Sequence, residues 1–147
     1  MERLQLKWES AKRLLPLARI TISNAQARLG VVFYGSTTPA AYEAIDVLRS
    51  RGMAINTMRL RAFPFQQEVL DFVQAHELVF VIEQNRDGQM RTLLINEGNL
   101  PPSKLVTIAS YDGLPVASRF LIQALEEALA ERGVALPKTS VDQGGAQ

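Results

Sequence analysis

The chain contains no cysteine. That absence removes disulfides, thiol nucleophiles and the thiolates that normally hold iron–sulfur clusters. Histidine occurs once, as His76, too few imidazoles for an ordinary zinc site built by the protein. Neither sign of charge dominates. Sixteen basic and 15 acidic side chains leave a formal net charge of +1, which gives no general attraction for nucleic acid or an anionic membrane. No apolar run approaches the roughly 18 residues of a spanning helix. The start, Met1-Glu2-Arg3-Leu4, lacks the continuous apolar stretch of a signal peptide, so a cytoplasmic location is expected. There is no internal repeat. What remains is an ordinary globular balance, 147 residues with 47% hydrophobic and 21% charged, enough for one domain with a real core.

The most informative stretch is Leu78-Val79-Phe80-Val81-Ile82, followed by Glu83-Gln84-Asn85-Arg86-Asp87-Gly88-Gln89. A continuous apolar run cannot alternate between wet and dry faces. It predicts a strand buried on both sides in the middle of a parallel sheet. The polar residues after it then stand at the carboxyl end of that strand, where open α/β sheets usually engage ligands and partners. Asp87 or Gly88 is expected to open the next helix.

The rest of the chain alternates strand and helix. Residues 2–15 predict a helix ended by Pro16, with Leu4, Trp8, Ala11, Leu14 and Leu15 at three- and four-residue steps. Arg19 to Ile22 reads as a short edge strand and Leu29 to Tyr34 as a full one. Gly35-Ser36-Thr37-Thr38-Pro39 leads into a helix closed by Gly52, a residue that adopts a left-handed C-terminal turn cheaply. Strands follow at 53–60 and 104–109, and helices at 66–75 (burying Val69, Leu70, Phe72 and Val73) and 89–96. Pro115 is expected to start a last helix reaching Arg132, with Phe120, Leu121, Ala124, Leu125 and Ala128 inward. The alternation implies parallel strands with right-handed crossovers. The fold class is therefore α/β, a three-layer α/β/α sandwich. Residues 133–147, rich in small polar residues, read as a mobile tail.

Each distinctive loop has a plain structural explanation as well as a functional one. Gly35, Ser36, Thr37 and Thr38 form a candidate anion cup at a helix start. They carry no P-loop lysine and no dinucleotide glycine pattern, so hydroxyl capping of the helix is favoured. Glu83 ends a buried strand, where desolvation suits a general acid or base. No nucleophile or histidine accompanies it in the motif, so pairing with loop N–H groups or with Arg59, Arg61 or Arg86 is favoured. Gln84, Asn85, Arg86, Asp87, Gly88 and Gln89 are dense in directional polar groups suited to a partner, although Asp87 can cap the helix and Gly88 can relieve the backbone. Arg61, Phe63, Pro64 and Phe65, and Tyr111, Asp112 and Gly113, flank them after other strands. His76 reads as a solvated residue at a helix C-terminus. All these loops follow strands, so the topology gathers them at one edge.

Four ordered stretches also carry a family resemblance: Tyr34-Gly35-Ser36, Arg59-Leu60-Arg61-Ala62-Phe63-Pro64-Phe65, Glu83 through Gln89, and Tyr111-Asp112-Gly113-Leu114-Pro115. Over about residues 3–120 the chain resembles the C-terminal, transketolase C-terminal-like domain of 2-oxoacid:ferredoxin oxidoreductase α subunits, nearest the 2-oxoglutarate type. The resemblance implies a mostly parallel five-stranded sheet in the order 1-3-2-4-5 with the first strand antiparallel. It makes residues 1–16 a linker helix, 17–132 the domain and 133–147 the tail. It places the thiamine-contacting domain, with the cofactor-activating glutamate, upstream and outside this chain.

The implied role is a noncatalytic structural and subunit-interface domain that binds no cofactor itself. The implied parent enzyme carries out CoA-dependent oxidative decarboxylation of a 2-oxoacid, using thiamine diphosphate, magnesium, an iron–sulfur cluster and coenzyme A. The implied partners are the remainder of the α subunit, a thiamine-diphosphate-binding β subunit and, through the complex, ferredoxin. Substituting Asn85 and Arg86 by alanine is expected to weaken association and spare the fold. The competing readings are a free-standing domain binding a small anion or effector at Gly35–Thr38, and an autonomous hydrolase or transferase using Glu83.

Overall fold

A computed structural model describes residues 2–135. Its elements in order are α1 (Glu2–Leu14), β1 (Arg19–Thr21), β2 (Leu29–Tyr34), α2 (Thr38–Ser50), β3 (Ile55–Leu60), α3 (Gln67–Ala75), β4 (Leu78–Glu83), α4 (Gln89–Gly98), β5 (Leu105–Ala109) and α5 (Ser118–Ala130). Five strands form one sheet in the order β1-β3-β2-β4-β5. β1 runs antiparallel to β3, and every other pairing is parallel. The expected order is the observed one.

The pleat sends alternate residues to opposite faces, which divides the core in two. Val31, Phe33, Ile55, Phe80, Ile82 and Ile108 pack against α2 and α5 through Ala41, Ala44, Ile45, Leu48, Leu121 and Leu125. Val32, Met58, Leu60, Val79, Val81 and Leu105 pack against α3 and α4 through Val69, Phe72, Val73 and Leu94. Each such large side chain, once buried, contributes about 1.5–3 kcal/mol relative to exposure. β4 is buried along nearly its whole length, as its uninterrupted apolar run requires.

Three helices end in the same hydrogen-bonded turn. Gly52, Asn99 and Gly133 have φ of 90°, 46° and 68°. In each case the next residue's N–H reaches back to the last turn, from Met53 to Leu48 O, Leu100 to Ile95 O and Val134 to Leu129 O. This is the Schellman arrangement, in which a left-handed residue lets the chain satisfy otherwise orphan carbonyls.

Several expectations are corrected. α5 begins at Ser118, not Pro115, with Ala117 still extended (φ −92°, ψ 142°). The Gln84 side-chain amide donates to Leu114 O, holding this segment across the sheet edge before it can turn. Phe120 is 42% exposed, because the buried stripe of α5 runs through Leu121, Leu125, Ala128 and Leu129. Leu70 is half-buried rather than core. The apolar stripe of α1 is partly covered, with Ala11 and Leu15 half-buried and Leu14 86% exposed. α1 is tied to the domain through Gln66, whose amide donates to Lys12 O and Leu15 O. Val134 packs on the α5 core, so chain order extends past 133, and the rest of the expected tail, from 136, lies outside the described residues.

His76 is also different from expectation. It is 3% exposed, in a closed network at the amino edge of the sheet. Its Nδ1 lies 2.7 Å from Phe72 O and its Nε2 3.0 Å from Asn56 Nδ2. A carbonyl can only accept, so this geometry assigns the proton to Nδ1 and leaves Nε2 as acceptor. Asn56 also donates to Asn24 O and accepts from the N–H groups of Ser23 and Asn24. The β1–β2 connection is thereby fastened to β3.

Candidate functional site: the carboxyl edge of the sheet

The strand order reverses between β2 and β4, since β3 lies to one side of β2 and β4 to the other. Such a switch point leaves a crevice outside the strand ends, the usual ligand position in open α/β sheets. Here hydrogen bonds bridge it. Ser36 Oγ donates to Gln84 Oε1 at 2.5 Å, and the Asn85 side-chain amide donates to the Tyr34 hydroxyl at 3.3 Å.

Glu83 is 0% exposed. Its Oε2 accepts from the Asn85 amide and the Met90 N–H, both at 2.8 Å, and its Oε1 accepts from the Arg91 N–H at 3.1 Å. The carboxylate thus closes the first turn of α4, where free N–H groups and the positive helix end favour an anion. Asn85 Oδ1 takes a further first-turn N–H, from Gln89 at 3.1 Å. None of Arg59, Arg61 and Arg86 pairs with Glu83 among the described residues. Asp87 does not cap the helix. It pairs with Arg86 at 2.8 Å on the surface, and Gly88 occupies the N-cap position with φ 60°.

Tyr34, half-buried at the end of β2, has its phenol pKa raised, first by burial and then by the charge of Glu83, while the Asn85 hydrogen bond opposes the shift. At Gly35–Thr38 the hydroxyls do not cap α2. Thr37 Oγ1 donates to Tyr34 O and Thr38 Oγ1 to Gly35 O, each at 2.7 Å, a back-bonding available to hydroxyls in tight turns. Both threonines are buried.

The sequence-selected loops do meet at this edge, in two groups. One comprises Gly35–Thr38, Glu83–Gln89 and Tyr111–Gly113, joined by the Ser36, Gln84 and Leu114 bonds. A shallow depression of about 380 Å3 lies there, lined by Ser36, Gln84, Tyr111, Gly113 and Leu114 among others. Asp112 Oδ1 accepts from the Leu114 N–H, a local turn that leaves Tyr111 and Leu114 64% and 66% exposed. The other group is Arg61–Phe65, after β3. Phe65 and Pro64 are buried and Phe63 is not. The Phe63 ring stands edge-on to Phe65 at 5.1 Å and to Trp8 of α1 at 5.7 Å.

A larger depression, about 550 Å3, lies at the opposite, amino edge beside Arg28, Glu77 and Val134, away from all these loops. Sequence reading missed the Asn56–His76 network and the side chain of Arg91, which donates to Leu105 O and Pro102 O. Asn56 left one signal, a polar residue in a strand otherwise suited to burial.

Among the described residues no three His, Cys, Asp or Glu side chains come together as metal ligands, and Glu83 is taken up internally. No described helix is long and apolar enough to cross a membrane.

Residues 27–108 match the family described as pyruvate:ferredoxin oxidoreductase core domain II. The chain is 28% identical over 97 residues to the α subunit of 2-oxoacid:ferredoxin oxidoreductase 2 from Aeropyrum pernix, covering 65% of this chain and 15% of that protein. It superposes with TM-score 0.72 and 21% identity on 2-oxoglutarate:ferredoxin oxidoreductase from Magnetococcus marinus, solved with 2-oxoglutarate, coenzyme A and succinyl-CoA bound, over 81% of this chain and 21% of that one. A split-gene transketolase, solved as an inactive β4 tetramer, aligns with TM-score 0.59 and 20% identity over 82% of this chain and 42% of its own. The chain thus spans a small part of these two oxidoreductase relatives, 15% and 21% of their lengths.

Proposed function

The chain belongs to the pyruvate:ferredoxin oxidoreductase core domain II family, and from that premise we propose that it is a noncatalytic, subunit-interface domain of a 2-oxoacid:ferredoxin oxidoreductase α subunit. The parent reaction in this reading is CoA-dependent oxidative decarboxylation of a 2-oxoacid, of the 2-oxoglutarate type. Thiamine diphosphate, magnesium and an iron–sulfur cluster supply that chemistry from elsewhere in the assembly, in the cytoplasm. The chain's own contribution is a stiff edge against which the rest of the α subunit, a β subunit and, through them, ferredoxin are organised.

The observation that carries the proposal is the bridged switch-point crevice. A catalytic edge needs an acid or base that can reach a substrate, whereas Glu83 is wholly buried with three internal donors. Around it stand exposed groups suited to a protein surface, namely Arg86, Tyr111, Leu114 and Phe63. Aromatic and arginine side chains are the commonest anchors of such surfaces.

The test is purification of the tagged chain from its own cells. Copurified thiamine diphosphate and iron, with 2-oxoacid-dependent viologen reduction, are expected. Asn85 is bonded into the fold, so the informative variant is Arg86→Ala alone, expected to weaken assembly about tenfold with unchanged thermal unfolding. Recovery of a lone 16.3 kDa chain without activity would refute the reading.

A further inference from the structure

Arg59 sits one residue from the end of β3, on the pleat face shared with Ile55 and the α2–α5 core. Its Nε is buried and has no hydrogen-bond partner. Across the antiparallel pairing, Arg19 of β1 stands directly opposite. Facing residues in such a pair lie on one face with Cβ atoms about 4.5–5.5 Å apart, and like charges there destabilise. None of the ion pairs among the described residues involves Arg19, Arg59 or Arg61.

β1 is also the outermost strand, exposed at all its residues. Leu17 precedes it at 60% exposure. We propose that the Arg19–Arg59 pair is a receptor for a carboxylate borne by a docked protein surface, an Asp or Glu beside an apolar residue that covers Leu17. A guanidinium holds a carboxylate through two parallel N–H bonds; with the Arg59 Nε buried, that fork falls to the terminal nitrogens. A free anion would satisfy the charge and leave Leu17 and the unpaired edge of β1 in water. This surface lies beside the carboxyl-edge loops and adds to them a second contact, at the edge strand. The inference rests on the interface reading only for who the partner is.

Arginines retained for a partner cost the free chain stability, and this separates the proposal from a structural role. In the full-length chain, Arg59→Met is expected to raise the thermal midpoint by about 3 °C. The same substitution in the tagged protein should lower retention of its assembly at least tenfold at low salt. Arg59→Lys, which keeps the charge and loses the fork, should fall between. A lowered midpoint in Arg59→Met, or an assembly indifferent to it, would overturn the proposal. So would a glutarate-induced rise in the midpoint of wild type with no dependence of assembly on Arg59, since the site would then take a free anion. An Arg59-dependent partner without thiamine diphosphate or 2-oxoacid activity would leave this inference standing and refute the parent enzyme.

Discussion

Both carboxylate oxygens of Glu83 are engaged inside the chain, so its weight falls on stability. In Glu83→Gln one oxygen becomes an NH2 group, which must face a backbone N–H or leave it unpaired. Urea unfolding is expected to show a loss of about 3 kcal/mol. An unchanged midpoint would mean the carboxylate does not hold the start of α4. Tyr34 provides the matching pH test. Its raised phenol pKa means the folded state binds that proton more tightly than the unfolded state. The associated stability is complete below the ordinary value of 10.0 and is lost as pH rises through the folded value. Unfolding free energy of the wild type should therefore fall more steeply in alkali than that of Tyr34→Phe. Equal slopes would remove the coupling. Glu83 was legible in sequence only as a choice between acid–base and structural duty. Its acceptor role depends on where α4 begins, which the strand itself does not encode.

Between elements, the junction of β4 and α4 departs most from local rules. Asp87 has the right chemistry and position for a cap, as Thr37 and Thr38 do for α2. None acts as one, because better-placed groups arrive from the strand end or because the hydroxyls turn back to carbonyls. Capping preference is a local statistic, and the donors of α4 are met by residues two turns upstream. Gly88 was correctly suspected of relieving the backbone. With φ +60° and an added Cβ meeting Thr107 Oγ1 at 3.0 Å, Gly88→Ala should cost about 2 kcal/mol in thermal unfolding. Repeating it with Thr107→Ala should recover the steric part and not the backbone part. Full recovery would show that the left-handed conformation carries no strain. His76 differs from expectation for a similar reason, since the helix-end position is visible in sequence but the Asn56 amide that meets it from β3 is not.

For the whole molecule, periodicity foretold the layers and the buried central strand, because β4 has no polar residue before Glu83 to suggest a wet face. Strand order came through family likeness, since alternating strands and helices permit many orders. The bridged crevice was invisible, because Ser36–Gln84 and Tyr34–Asn85 join residues remote in sequence. That order also has a consequence in time. β1 has one partner, β3, and Arg19 waits for Arg59 to be made before it can pair; α1 likewise waits for Gln66. Contacts that close long loops form late. During synthesis α1 and β1 therefore emerge before Gln66 and Arg59, the residues that hold them, and are fixed later than the strands and helices that follow.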